Sequence, residues 1–148
     1  MPKTIWDESA RRELTERLNN LTPNATPIWG KFNAAQMLAH IGAAIRMSKG
    51  EIITRPKNLP IRFTPIKQLI VYWMPFPKGA PTAPELLSRS VVNWDENVAD
   101  VRSQIESFAT YDRNFKWPDH PAFGTLSPRA WGVLGYRHTD HHFRQFGV

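Results

Sequence analysis

The sequence SPRAWGVLGYRHTDHHFRQFGV, residues 127–148, decides how the rest of the chain must pack. Ser127 followed by Pro128 is typical of a helix start, because serine caps free amide groups and proline tolerates the first helical position. His138 and His142 are four residues apart, so on a helix they project from one face and can bind one metal ion. His138 also belongs to a stripe that should face a core, made up of Trp131, Leu134, His138, His141 and Gln145.

Two other interpretations of these histidines are a solvated, histidine-rich helix end and core imidazoles hydrogen-bonded to the backbone. A single histidine usually belongs to one of these two classes. A buried polar group without a partner costs about 1–3 kcal/mol, so inward imidazoles need a partner of some kind. A spaced pair with a third adjacent histidine therefore favours a metal site.

A second helix is predicted to open at Asn33 and to end near Gly50. Asn33 with Gln36 three residues later resembles a capping box. His40 lies inside the apolar stripe of this helix, and by itself it would be a core histidine bonded to a carbonyl. Beside the His138/His142 pair, however, it completes a set of three inward imidazoles. Gln36 is then either a partner that orients a ligand or only the capping residue.

Two further long helices follow from apolar residues recurring at helical spacing. The first helix is predicted from about Ile5 to Asn20, with Thr4 as N-cap and Asp7 in the capping-box position. The third long helix is predicted from about Val91 to Phe108 and has the cleanest amphipathic pattern in the chain. The stretch from 127 onward is the fourth.

A short, very apolar helix is predicted from Ile66 to Trp73, with Thr64 as N-cap and Pro65 at the first helical position. It could fill the core, line a pocket mouth or form a homodimer contact, and core packing is the favoured interpretation. A stiff, proline-rich loop follows it. His120 lies in another loop, between Asp119 and Pro121, and is interpreted as loop structure or pocket rim.

Four amphipathic helices without strand alternation or repeats predict an all-α fold, a four-helix bundle, with a long connection between the second and third helices. At 148 residues the chain suits a single domain, residues 1–148. Metal sites in bundle cores are built from side chains on facing helices. The second and fourth helices would here supply His40, His138 and His142.

Composition limits the function classes. The net charge is +6 and the basic residues are scattered, so no specific nucleic-acid partner is expected, although a basic interaction protein remains a third hypothesis. The chain contains no cysteine, which excludes a disulfide and a protein thiolate. We expect a cytoplasmic protein without a membrane partner, because no signal-like N-terminus and no long apolar run are present.

Several motifs together resemble the DinB/YfiT-like superfamily, whose members are regarded as metalloenzymes. They are Met37-Leu38-Ala39-His40; His138-x-x-His141-His142-x-Arg144-Gln145; Trp29-Gly30-Lys31; Pro75-Phe76-Pro77-Lys78-Gly79-Ala80-Pro81-Thr82; His120-Pro121-Ala122-Phe123-Gly124; and Gln145-Phe146-Gly147-Val148. The resemblance spans roughly Trp29 to Val148 and is closest to a bacterial branch ending in HHxRQFG.

The resemblance implies a four-helix bundle that binds a divalent metal ion, commonly zinc or nickel. It matches His40, His138 and His142 to the ligand positions and leaves His141 beside the site. Related proteins include transferases that use low-molecular-weight thiols, so a thiol cosubstrate and a small-molecule substrate are implied by analogy. A metal-dependent hydrolase and a non-catalytic metal-binding or stress-response module remain alternatives. No residue stands out as a general base or other catalytic group.

Overall fold

The computed structural model describes residues 1–79, 82–86 and 93–148. Within these residues every regular element is helical, with one isolated bridge between His120 and Gly124. Five α-helices follow one another along the chain: α1 Glu8–Asn19, α2 Ala34–Ser48, α3 Ile66–Tyr72, α4 Trp94–Ala109 and α5 Pro128–Gln145. Two short 3₁₀ helices, Pro60–Arg62 and Pro84–Leu86, lie in the connection between α2 and α4. The prediction of an all-α fold is confirmed.

The four long helices contact one another in a closed ring. α1 packs on α4 and α5, and α2 packs on the same two helices, while α3 lies against α5. Fully buried side chains fill the space between them, among which the largest are Trp131, Phe108, Phe143, Ile5 and Leu14. α2 and α5 therefore face each other across the core, which is the arrangement that the histidine pattern requires.

Capping residues fix where α2, α4 and α5 begin. The Asn33 side-chain oxygen accepts a hydrogen bond from the Gln36 backbone amide, and the Gln36 side-chain oxygen accepts one from the Asn33 backbone amide, which makes a complete capping box. Asn93 caps α4, and Ser127 caps α5 with Pro128 at the first helical position. The predicted start of α4 near Val91 lies outside the described residues.

The start of α1 differs from the prediction. α1 begins at Glu8, after the N-cap position of Asp7, whose side chain makes no capping hydrogen bond. The preceding residues are held on α5 instead, because the Ile5 amide donates to the Gly132 carbonyl (3.0 Å) and the Trp6 indole donates to the Pro128 carbonyl (2.8 Å). These long-range bonds keep Thr4 out of the capping position.

The prediction for α3 is wrong in two respects. Pro65 precedes the helix, and its carbonyl accepts the Leu69 amide, so Pro65 occupies the cap position and not the first helical one. The helix is also mostly outside the core. Val71 is buried, whereas Ile66, Leu69 and Trp73 are exposed.

Candidate metal centre

Two of the three candidate imidazoles meet directly across the core. His40 on α2 and His138 on α5 approach each other through their Nε2 atoms at 3.0 Å. The His40 ring centroid lies 4.9 Å from that of His138 and 4.8 Å from that of His142. The centroids of His138 and His142, one turn apart on α5, are 4.7 Å from each other. The structure thus brings together the three histidines that the sequence selected.

A glutamine fixes the orientation of His142. Nδ1 of His142 lies 2.8 Å from Oε1 of Gln145, an oxygen that can only accept, so Nδ1 carries the proton and donates. The Gln145 amide nitrogen in turn donates to the Trp29 carbonyl at 2.8 Å, which fixes the orientation of the glutamine. The lone pair of His142 is therefore on Nε2, the nitrogen that remains free to bind a metal ion.

For Gln36, the sequence left open whether it orients a ligand or only caps α2. Gln36 is exposed and bonds only to the Asn33 cap, so of its two interpretations the capping one holds. The apolar spacing of α5 places Gln145 on the inward stripe but does not identify it as a partner of His142. The available signal was its position three residues after His142, where helix side chains meet.

Burial keeps the cluster neutral. Burial, with a smaller effect from neighbouring His142, lowers the pKa of His40 to about 3. Burial lowers the pKa of His142 to about 4, although its hydrogen bond with Gln145 acts in the opposite direction. Burial also lowers the pKa of His138 well below its usual value, and the neighbouring histidines add to this effect. All three are neutral imidazoles at pH 7, the form that binds metal ions.

Aromatic and basic side chains surround the cluster. The Phe32 ring covers His40 and His142, with centroids 5.3 and 6.0 Å away. His141 stands beside the three histidines, between the rings of Trp29 and Phe76 at 5.6 and 5.9 Å. Trp29 and Phe76 each make a cation–π contact. The Lys78 ammonium lies 4.6 Å from the centroid of the Trp29 ring, and the Arg137 guanidinium lies 4.7 Å from that of the Phe76 ring.

His120 lies on the other side of the cluster. Its Nδ1 accepts hydrogen bonds from the amides of Ala122 and Phe123 at 3.0 and 3.2 Å, so Nε2 carries the proton. Its ring and that of His138 line one mainly apolar cavity of about 90 Å³ between α2, α4 and α5. Both earlier interpretations of His120 therefore apply, because it stabilises its loop and borders a cavity.

Asp140 is engaged away from the cluster. Its carboxylate accepts from Arg17 at 2.7 Å and pairs with Arg144 at 2.8 Å. Across residues 1–79, 82–86 and 93–148, His40, His138 and His142 form the single group of three or more side chains suited to hold a metal ion, and it includes no carboxylate.

Comparison with known proteins agrees with this architecture. Residues 7–146 match the profile of the DinB superfamily. The chain belongs to the DinB superfamily. Comparisons with curated proteins and with solved structures gave no significant match. The match covers all four long helices and all three histidines of this DinB-superfamily protein.

The donor atoms are compatible with the binding of a divalent metal ion. Their nitrogens all lie within 4.8 Å of one another, and a tetrahedral zinc site with Zn–N bonds of 2.0–2.1 Å needs separations of about 3.3 Å. The Nε2 atoms of His40 and His138 are 3.0 Å apart. Two nitrogen lone pairs at this distance repel each other unless a proton or a metal ion lies between them. Nδ1 of His40 is buried and finds no hydrogen-bond partner among the described residues, so only its Nε2 edge faces polar atoms.

The contact between Gln145 and His142 yields a first prediction. In the Gln145→Leu variant the His142 N–H loses its acceptor. We expect metal affinity to fall about 10–100-fold, as is usual when a residue that hydrogen-bonds to a metal ligand is replaced. Competition with a chromophoric chelator measures this. Gln36→Leu is the matched control, because Gln36 makes no contact with the histidines, and its affinity should match that of the wild type. Equal affinity in all three proteins would show that Gln145 does not support a ligand.

Proposed function

We propose that this DinB-superfamily protein is a divalent-metal-dependent enzyme in which His40, His138 and His142 hold zinc or nickel. The observation that carries the proposal is the convergence of three neutral imidazoles from α2 and α5, of which His40 and His142 are buried and His138 is partly buried. Catalytic zinc sites have three protein ligands and one open position, whereas structural sites are closed by a fourth protein ligand. A purely structural role would therefore leave the missing fourth ligand unexplained.

We assign the position that three protein ligands would leave open to a low-molecular-weight thiol cosubstrate. Its thiolate would form a bond to the electrophilic atom of a small molecule as a leaving group departs, and the thiol proton would pass to solvent. When bound, the ion would supply Lewis-acid chemistry that keeps a coordinated thiol deprotonated. The chain has no cysteine, so the thiol must come from a cosubstrate. Three neutral ligands leave the full charge of the ion uncompensated, which favours an anionic fourth ligand.

The protein's own residues support this assignment. Gln145 and the Trp29 carbonyl hold His142 in the orientation that frees Nε2. Phe32 shields the imidazoles from water on one side. Lys78 and Arg137, stacked on the rings beside His141, place positive charge near the site, and fields of one sign raise the local concentration of anionic cosubstrates.

A hydrolase is less well supported. Hydrolysis at such a centre needs a general base within hydrogen-bond reach of the attacking water. The nearest acidic residue in sequence, Asp140, is neutralised by Arg17 and Arg144, and the described metal-binding group contains no acidic residue. This observation favours thiol transfer over hydrolysis.

Thiol binding can be tested in cobalt-substituted protein. A thiolate bound to cobalt should give a new charge-transfer absorption band on titration with glutathione, bacillithiol-like or mycothiol-like thiols. The matched control is His142→Ala, which should lack the band because it lacks a ligand. An unchanged spectrum at saturating concentrations of all three thiols would contradict the assignment. A panel of electrophiles assayed with the active thiol then identifies the substrate class.

A further inference from the structure

The outer face of α3 is an exposed apolar stripe. Ile66, Leu69 and Trp73 recur at helical spacing on this face, and their exposed fractions are 48%, 51% and 67%. Phe63, three residues before the helix, is also exposed, at 66%. The opposite face is used for packing, since Val71 is buried and α3 lies against α5. Contiguous exposed apolar surface of this kind marks an interaction site.

This stripe is held firmly on the bundle. The Arg137 guanidinium on α5 donates to the carbonyls of Ile70 at 2.7 Å and Val71 at 2.5 Å, and also to that of Met74. Lys67 adds a hydrogen bond to the Thr125 carbonyl at 2.8 Å. The helix is therefore fixed with its apolar face outward, as expected for a docking surface.

The segment that carries the stripe also holds most of the excess charge. Residues 52–79 contain five basic residues and no acidic one, so they contribute +5 to a net charge of +6 for the whole chain. The basic residues are Arg55, Lys57, Arg62, Lys67 and Lys78. Arg62 and Lys67, the two nearest the stripe, donate to uncharged oxygens of Asn58 and Thr125, which leave their charge intact. The partner of this face should be anionic.

Charge also discriminates between occupants of the face. A two-fold contact with a second copy would bring two such cationic segments together, and their repulsion would oppose it. Nucleic acid would satisfy the charge, but its phosphates offer nothing to exposed isoleucine, leucine and tryptophan. An anionic bilayer satisfies both, because apolar side chains enter the boundary between headgroups and acyl chains while basic residues remain near the lipid phosphates.

We propose that the α3 face, formed by Ile66, Leu69 and Trp73 together with the neighbouring Phe63, Arg62 and Lys67, docks this protein on an anionic phospholipid surface. The association is peripheral and reversible, and it departs from the expectation, drawn from the lack of a long apolar run, that the protein has no membrane partner. No described helix has the length and apolarity needed to cross a bilayer. Docking requires neither metal nor thiol, so the proposal stands apart from the enzymatic one.

Vesicle sedimentation tests the proposal. The wild type should co-sediment with vesicles of equal parts phosphatidylglycerol and phosphatidylcholine, and should remain in the supernatant with pure phosphatidylcholine or at high salt. Leu69→Ser/Trp73→Ser should lower the partition coefficient at least about tenfold, because two interfacial anchors are lost. Ile28→Ser is the matched control, since Ile28 is 69% exposed outside this face, and it should bind like the wild type.

Two checks make the result decisive. Circular dichroism and metal content should be unchanged in the Leu69→Ser/Trp73→Ser variant, which separates lost docking from misfolding. Arg62→Gln/Lys67→Gln should bind more weakly and with a smaller salt dependence. The proposal is overturned if the wild type ignores anionic vesicles or binds pure phosphatidylcholine equally well. It is also overturned if ultracentrifugation shows a dimer that the serine variant dissociates, since the face then joins two copies.

Discussion

Replacing His142 by alanine should abolish stoichiometric metal binding, with affinity at least about 100-fold weaker than that of the wild type. Three imidazoles are the complete protein donor set of the described cluster, so removal of one leaves two ligands on opposite helices and no nearby substitute. Gln145 also holds the Nε2 atom of neutral His142 in a fixed orientation, and a water molecule that took the place of the lost imidazole would not be held in this way. Metal analysis of protein purified without a histidine tag measures the effect.

His141→Ala is the matched control for this experiment. His141 is adjacent in sequence and its ring centroid lies 5.2 Å from that of His142, but it contacts Trp29 and Phe76 and is not one of the three converging residues. The His141 variant should therefore keep its full metal content. If both variants retain metal, His142 is not a ligand, and if both lose it, His141 belongs to the site.

The metal-free protein should lose much of its stability between pH 6.5 and pH 4. His40 and His142 have pKa values of about 3 and 4 in the folded chain, against 6.5 for an exposed histidine. Below pH 6.5 the unfolded chain binds protons that the folded chain does not. The free energy of unfolding therefore decreases as the pH is lowered. Each such histidine contributes a slope of about 1.4 kcal/mol per pH unit until its folded pKa is reached.

Urea unfolding of chelator-treated protein across this pH range measures the slope. The His40→Gln variant supplies the comparison, because glutamine is polar but does not titrate. The pH slope of its free energy of unfolding should be smaller by about 1.4 kcal/mol per pH unit, which corresponds to one proton. His120, with a pKa lowered to about 4 by burial and by the neighbouring charge of Lys57, adds to the slope in both proteins. A free energy of unfolding that is flat from pH 6.5 to pH 4 would show that these imidazoles are not buried and neutral.

Local sequence patterns predicted the elements that carry the site. The caps at Asn33 and Ser127 depend on contacts within one helical turn, so they could be identified from residues three apart. Apolar spacing indicated which faces of α2 and α5 turn inward, and the spacing of His138 and His142 indicated a shared target. These features are local, and the structure shows them in the predicted places.

Patterns that depend on distant partners were missed or misjudged. Thr4 has the sequence of a cap, but the hydrogen bond from Ile5 to Gly132 and the packing of Trp6 on α5 delay α1 until Glu8. α3 is apolar enough for a core helix, yet it covers α5 from outside, with Ile66, Leu69 and the C-terminal cap residue Trp73 exposed. In each case a contact more than 60 residues away in sequence decides the outcome.

The sequence by itself determined the helical fold and the inward faces of α2 and α5, and it marked His40, His138 and His142 as candidate ligands, because helix periodicity and capping act over one or two turns. Only the tertiary structure decided how these imidazoles are oriented and which surface is left open. The Trp29 carbonyl reaches Gln145, and through it His142, across 116 residues of sequence. Arg137 likewise fixes α3 with its apolar face outward through carbonyls more than 60 residues away. Such pairings depend on how the helices pack, which no local spacing specifies.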